Sequence, residues 1–144
     1  MGALTVVLSD ADEAARVLSQ LKRVIRCNYS NPPTHGAQVV QRVLNDDTLR
    51  RQWESELGAM RVRIKAMRKA LVAGLAAAGI DRDFSFIEQQ RGMFSYSGLT
   101  ADQVEALKVD HGIYAVSSGR ICVAALNDKN VETVARAIAS VLAK

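Results

Sequence analysis

The chain has 144 residues, of which 49% are hydrophobic and 5% aromatic, and its formal net charge is +4. This composition suits one domain with an aliphatic core, or part of a larger protein. No apolar run approaches the roughly 20 residues of a membrane helix, and no signal peptide is evident, so we expect no membrane contact. Two distant cysteines without zinc-site spacing favour free thiols in a reducing compartment, and therefore a cytoplasmic protein.

The first predicted element is a strand over residues 2–8, which form a continuous apolar run. A strand without alternation is typically buried on both faces, so the chain is predicted to be cut from something longer. An amphipathic helix follows, with Asp10 or Asp12 as its N-cap, and runs to about Cys27. After two prolines, Thr34 is the expected N-cap of a second helix.

A long helix is predicted next, because apolar residues recur every three or four positions from Leu49 to Leu75. We expect it to begin after Asn45 and to end near Gly79. At 1.5 Å per residue its length would be on the order of 45 Å. That length exceeds what the core of a small domain needs and predicts a connection between two domains.

The opposite face of this helix is basic over residues 61–69. Its cations are Arg61, Arg63, Lys65, Arg68 and Lys69. Clustered cations are what phosphate binding requires, so nucleic-acid binding is one interpretation. The other is a solvated helix face, which we favour because no nucleic-acid recognition motif accompanies the cluster.

Residues 80–144 predict a small sheet covered by helices, an α+β layer. Its strands are expected at 84–87, 93–96, 113–116 and 121–126. Thr100 is the expected N-cap of the first helix, which Gly112 ends. Asn127 or Asp128 is the expected N-cap of the second.

Two arginines are candidate anion-binding residues from their positions alone. Arg26 ends the first helix just before a stiff Pro-Pro turn, where it is either offered to a ligand or solvated. Arg120 lies between a Ser-Ser-Gly turn and an apolar strand, where a buried guanidinium would need an anionic partner. A ligand carboxylate would supply that anion, and so would an internal salt bridge.

Three segments resemble one enzyme family, in the family's order. They are Arg-Cys-Asn-Tyr-Ser-Asn-Pro-Pro at 26–33, Gln-Arg-Gly-Met-Phe-Ser-Tyr-Ser-Gly-Leu at 90–99 and Ser-Gly-Arg-Ile-Cys-Val-Ala-Ala-Leu-Asn at 118–127. They are similar to motifs of the class I (aspartate and aromatic-amino-acid) aminotransferases, which use pyridoxal phosphate. Cys27 and Cys122 resemble the bacterial aromatic, or tyrosine, branch. The resemblance covers nearly the whole chain, but only the C-terminal part of the family's chain.

The resemblance implies transfer of an amino group between an aromatic or dicarboxylic amino acid and a 2-oxo acid. In similar enzymes the arginine equivalent to Arg120 holds the α-carboxylate of the substrate. The arginine equivalent to Arg26 reaches the neighbouring subunit of a homodimer and binds the side-chain carboxylate of a dicarboxylic substrate. The aromatic residue equivalent to Phe94 lies over the substrate pocket.

The resemblance also implies an α/β fold class, namely the C-terminal portion of the type I aminotransferase fold with an α+β small domain. It divides the chain into the truncated end of the large cofactor domain (1–46), a long interdomain helix (47–79) and the small domain (80–144).

The family's cofactor-binding lysine belongs to a Ser-x-Ser-Lys motif expected just before this chain begins, and no lysine of the chain lies in such a motif. We therefore expect no catalytic, cofactor-binding or metal-binding residue here, and an inactive fragment of a parent enzyme. The alternatives are a non-catalytic remnant or interaction module, and nucleic-acid binding through 61–69.

Overall fold

The computed structural model describes residues 4–143, which contain six α-helices and two short strands. In chain order they are α1 (Ala11–Asn28), α2 (His35–Asn45), α3 (Asp47–Ala77), α4 (Phe86–Gln89), β1 (Phe94–Tyr96), α5 (Ala101–His111), β2 (Arg120–Cys122) and α6 (Val131–Leu142). A 3₁₀ turn, Val123–Ala125, follows β2. The chain divides into two compact units, one ending at Ser55 and the other beginning at Glu56.

The first unit contains the two predicted amphipathic helices. Asp10 is the N-cap of α1, where its Oδ1 accepts a hydrogen bond from the Glu13 N–H at 2.7 Å. Thr34 precedes α2 as predicted, but its side chain makes no capping hydrogen bond. Neither helix buries a residue, and the apolar stripes of both are exposed or half-buried in this chain.

The strand predicted at 2–8 is wrong for residues 4–8, which have no regular secondary structure. A strand is stabilised by main-chain hydrogen bonds to a neighbouring strand. Within the described part of the chain, β1 and β2 pair only with each other. Residues 2 and 3 lie outside the described residues.

The long helix is confirmed as α3, which ends two residues before Gly79. Its apolar face is buried only in the C-terminal half, where Met67, Leu71 and Leu75 enter the core. Trp53, Leu57 and Met60, which share the predicted face, are exposed.

The core of the second unit lies between α3, α5, α6 and the segments that connect them. Its buried apolar side chains are Met67, Leu71, Leu75, Phe84, Ile87, Leu99, Val104, Leu107, Val123, Leu126, Ala135, Ala137, Ile138 and Val141. Thr100 caps α5 in a capping box with Gln103, and Gly112 ends it in a left-handed conformation, both as predicted.

Two of the four predicted strands are absent from the described residues. Residues 86–89 form α4, because the Asp83 carboxylate accepts hydrogen bonds from the Ser85 N–H at 2.7 Å and the Ser85 hydroxyl at 2.9 Å. This turn directs the chain into a helix rather than a strand. Residues 113–116 instead enter a tight loop, in which the Val116 N–H bonds the Arg120 carbonyl at 3.1 Å.

The last strand and last helix also differ from prediction. The strand predicted at 121–126 spans only Arg120–Cys122 before the 3₁₀ turn. Helix α6 has Asn130 as its N-cap, not Asn127 or Asp128. The Asn127 N–H donates to Asn130 Oδ1 at 2.8 Å, so these residues form a turn that delays the start of the helix.

Candidate functional site

The exposed face of the antiparallel β1–β2 pair brings two of the predicted site residues together. The register pairs Phe94 with Cys122, Ser95 with Ile121, and Tyr96 with Arg120. Because side chains alternate along a strand, Phe94, Tyr96 and Arg120 share one face, and Ser95 lies on the other. Phe94 is 44% exposed, whereas Ser95 is buried against the core.

The Arg120 guanidinium lies over the Phe94 ring, with Cζ at 4.9 Å from the ring centroid. The ring's negative face attracts the cation, a contact worth about 0.5–1 kcal/mol where it is exposed. Arg120 is not buried, because it begins β2 as an exposed residue. Its planar fork of N–H donors is therefore held against an aromatic surface while remaining open to solvent.

The turn before Arg120 is fixed by Gly119. Its carbonyl accepts hydrogen bonds from the Ser97 N–H at 2.9 Å and from the Ser97 hydroxyl at 2.6 Å. Gly119 has φ +81°, and a Cβ built there would lie 2.7 Å from the Leu99 carbonyl oxygen. The start of β2 is thus tied directly to the segment that leaves β1.

Arg68 of α3 reaches the segment that leads into β1, although the sequence placed it on a solvated face. The residue is buried, at 2% exposure. Its Nη1 donates to the Ile87 carbonyl at 2.9 Å and to the Ser95 hydroxyl. Its Nη2 donates to the carbonyls of Gly92 at 2.8 Å and Phe94 at 3.1 Å.

Burial lowers the pKa of Arg68, and the positive charge of Arg91 lowers it further. Its position in the sequence gives a signal of this burial, because it lies four residues after Ile64 and three before Leu71, within helical reach of the apolar stripe.

Arg63 is also anchored, since it donates to the carbonyls of Leu126 and Ala124, each at 2.9 Å. The interpretation of 61–69 as a solvated helix face is therefore wrong for Arg68, whereas the other four cations are exposed.

Arg26 belongs to the first unit, where it is exposed near the end of α1. Its Nη1 donates to the Ser30 hydroxyl at 2.6 Å. Ser30 has φ +65°, a conformation uncommon outside glycine, and begins the turn that leads to the two prolines. The side chain of Arg26 is thus held by the turn that follows it.

Within residues 4–143, no group of three or more His, Cys, Asp and Glu side chains could hold a metal ion. No helix in that range is both long and apolar enough to span a bilayer. Cys27 and Cys122 are free thiols, as predicted.

Comparison with known proteins identifies the family. The family model described as "Aminotransferase class I and II" matches residues 1–138. The chain belongs to this family. The resemblance carried by the three motifs is thereby confirmed.

Several aminotransferases match almost all of the chain. An aspartate aminotransferase of Pseudomonas aeruginosa is 68% identical over 142 residues, which are 99% of this chain and 36% of that protein. An aromatic-amino-acid aminotransferase of Escherichia coli is 51% identical over 142 residues, again 99% of this chain and 36% of that protein. The chain thus spans about a third of the length of these relatives.

The aminotransferase fold class is confirmed by solved structures. An aromatic-amino-acid aminotransferase from Burkholderia pseudomallei, covalently bound to pyridoxal phosphate, superimposes with a TM-score of 0.81 at 69% identity. The match covers 91% of this chain and 33% of that one. The described part of this segment is mainly helical, with one sheet of two strands.

The close approach of Gly119 to the Leu99 carbonyl gives a stability prediction for this aminotransferase segment. Gly119→Ala would add about 1–2 kcal/mol of left-handed strain and about 1–3 kcal/mol from overpacking against the Leu99 carbonyl. Gly112→Ala is the matched control, because Gly112 also has positive φ but nothing lies within 4 Å of a Cβ there. We expect Gly119→Ala to lower the urea unfolding midpoint more than Gly112→Ala does. Equal losses would show that the Leu99 contact is not restrictive.

Proposed function

We propose that this chain is the C-terminal, carboxylate-binding segment of an aminotransferase. The full-length protein would exchange an amino group between an aromatic or dicarboxylic amino acid and a 2-oxo acid. The proposal is supported by the names of the relatives, which include both aspartate and aromatic-amino-acid aminotransferases. The observation that carries it is the exposed Arg120 guanidinium, held over the Phe94 ring.

In this proposal Arg120 binds the α-carboxylate, which every amino-acid substrate has. A guanidinium can donate two parallel N–H bonds to the two oxygens of a carboxylate, and such charge-assisted pairs are short and strong. Phe94 limits the movement of the guanidinium from below and gives the substrate side chain an apolar surface. Together they fix the orientation of the substrate without taking part in bond cleavage.

Arg26 would bind the second carboxylate of a dicarboxylic substrate, in the active site of the neighbouring subunit of a homodimer. Its hydrogen bond to Ser30 and the stiff prolines that follow support this role, because they restrict the directions in which the arginine can extend. An aromatic substrate has no second carboxylate and would leave Arg26 unused.

The proposed cofactor of the full-length protein is pyridoxal phosphate, to which the Burkholderia pseudomallei enzyme is covalently bound. It supplies an electron sink for the bonds at the substrate's α-carbon. The residues of this chain do not fit its attachment site, since none of its lysines lies in a Ser-x-Ser-Lys motif. We assign no cofactor-binding or catalytic residue to this chain and expect the isolated segment to be inactive.

The same proposal gives the chain's place in the whole protein. Residues 1–46 would complete the large cofactor domain, 47–79 would join the domains, and 80–144 would form most of the small domain. The free thiols support a reducing, cytoplasmic location for the enzyme.

An amino-transfer assay tests the proposed function. The full-length protein that contains this segment is mixed with pyridoxal phosphate, 2-oxoglutarate and either phenylalanine or aspartate, and formation of glutamate is measured. We expect glutamate with either donor, and none from the 144-residue chain alone. A folded full-length protein that transfers no amino group from either donor would contradict the proposal.

A further inference from the structure

Arg68 is a buried cation whose described hydrogen-bond acceptors are neutral oxygens. Three of them are main-chain carbonyls, and the fourth is the Ser95 hydroxyl. All four belong to the short stretch from Ile87 to Ser95, which approaches and enters β1. The guanidinium therefore fixes the main chain of the Ile87–Ser95 stretch by hydrogen bonds to neutral acceptors.

The acceptors lie on both sides of the bend that precedes the strand. Gly92 has φ +82°, so the chain turns there, and its carbonyl is bonded to Nη2. The same nitrogen bonds the Phe94 carbonyl two residues later. The Phe94 ring is partly exposed, so the core does not enclose it on all sides. Its position therefore depends on the main chain that these two hydrogen bonds fix.

We propose that Arg68 is a positioning residue for the carboxylate site, which it serves by holding the Phe94 ring beneath the Arg120 guanidinium. Arg68 does not reach the exposed face itself, since its contacts are on the buried side of β1. Lysine could not replace it, because an ammonium group lacks the planar fork that spans separate carbonyls. The expected catalytic effect rests on the proposed function, but the positioning of the ring does not.

The positioning is tested by fluorine NMR of the full-length protein, with 4-fluorophenylalanine incorporated only at position 94. We expect Arg68→Lys to shift or split this resonance. Arg136→Lys is the matched control, because Arg136 forms an exposed ion pair with Glu132 on α6 and should leave the resonance unchanged. Ser95→Ala removes one acceptor of the four and should shift the resonance in the same direction by a smaller amount.

A second control separates positioning from general loss of stability. Ile138→Val shortens a buried core side chain of α6 and leaves all four hydrogen bonds of Arg68 in place, so it should lower the thermal midpoint without moving the fluorine resonance. If Arg68→Lys fails to fold, Ser95→Ala decides the question. An unchanged resonance in the variants that fold would overturn the inference.

Kinetics provide the readout that depends on function. Loss of hydrogen bonds to a charged group should lower kcat/KM by about 10- to 100-fold in Arg68→Lys, mainly through a raised KM, and equally for phenylalanine and aspartate. A loss no larger than that of Ile138→Val would contradict a positioning role. If the wild-type protein transfers no amino group, the proposed function fails, and the fluorine spectra still decide whether Arg68 positions Phe94.

Discussion

Replacing Arg120 with leucine is expected to lower kcat/KM for the proposed amino transfer by the full-length protein by roughly 30-fold to several thousand-fold. Removing one partner of a desolvated charge pair costs about 2–5 kcal/mol, which corresponds to that range. The loss should be similar for phenylalanine and aspartate, because Arg120 is assigned to the α-carboxylate that both share. Steady-state kinetics with each donor would measure it.

Arg120→Lys is the matched variant for this experiment. It keeps the positive charge but loses the planar fork and the bidentate geometry, so an intermediate loss is expected. A large loss with aspartate and none with phenylalanine would move Arg120 from the α-carboxylate to the side-chain pocket. A negligible loss with both donors would remove it from the site.

Arg26→Ala should reduce activity with aspartate and glutamate selectively. A charged carboxylate left unpaired in the pocket costs about 1–3 kcal/mol, equivalent to about a 5- to 150-fold fall in kcat/KM. Phenylalanine and tyrosine have no second carboxylate and should be nearly unaffected. Arg23→Ala is the matched control, because Arg23 is exposed on the same helix and has no assigned role. Equal losses for both classes of substrate would contradict the assignment.

The proposed action of Arg26 across the dimer interface can be tested by mixing subunits. One subunit carries Arg26→Ala, and the other carries a replacement of the cofactor-binding lysine, which the proposed function places outside this chain. If Arg26 acts in the neighbouring site, one site lacks both groups and the other is intact, so about half of the wild-type aspartate activity returns. If Arg26 acts within its own subunit, each site lacks one group and activity stays low.

The sequence predicts five of the six described helices because their signals are local, whereas it predicts a strand where the four-residue α4 forms. The apolar spacing of α3, the Asp10 cap of α1, and the Thr100 and Gly112 ends of α5 each lie within a few residues of what they control. The strands are predicted less well. An apolar run such as 113–116 forms a strand only if another strand pairs with it, and that depends on distant residues.

In the candidate site, too, what depends on local sequence is predicted, and what depends on distant residues is not. Motif resemblance identifies Arg120 and Phe94 separately, but their contact follows from the register of β1 and β2, which are separated along the chain by α5. The sequence groups Arg68 with the other cations of 61–69, on the face opposite the apolar stripe, and so predicts that it is solvated. Its burial depends on carbonyls contributed by the Ile87–Ser95 stretch, and helical periodicity alone does not reveal such acceptors.

The most direct test of the central claim is a crystal structure of the full-length protein with pyridoxal phosphate and an unreactive dicarboxylate such as succinate. We predict that one carboxylate is bound by both terminal nitrogens of Arg120, at about 2.7–2.9 Å, with the Phe94 ring beneath the guanidinium. The other carboxylate should meet Arg26 of the neighbouring subunit. A dicarboxylate bound near the cofactor with neither carboxylate on Arg120 would contradict the claim.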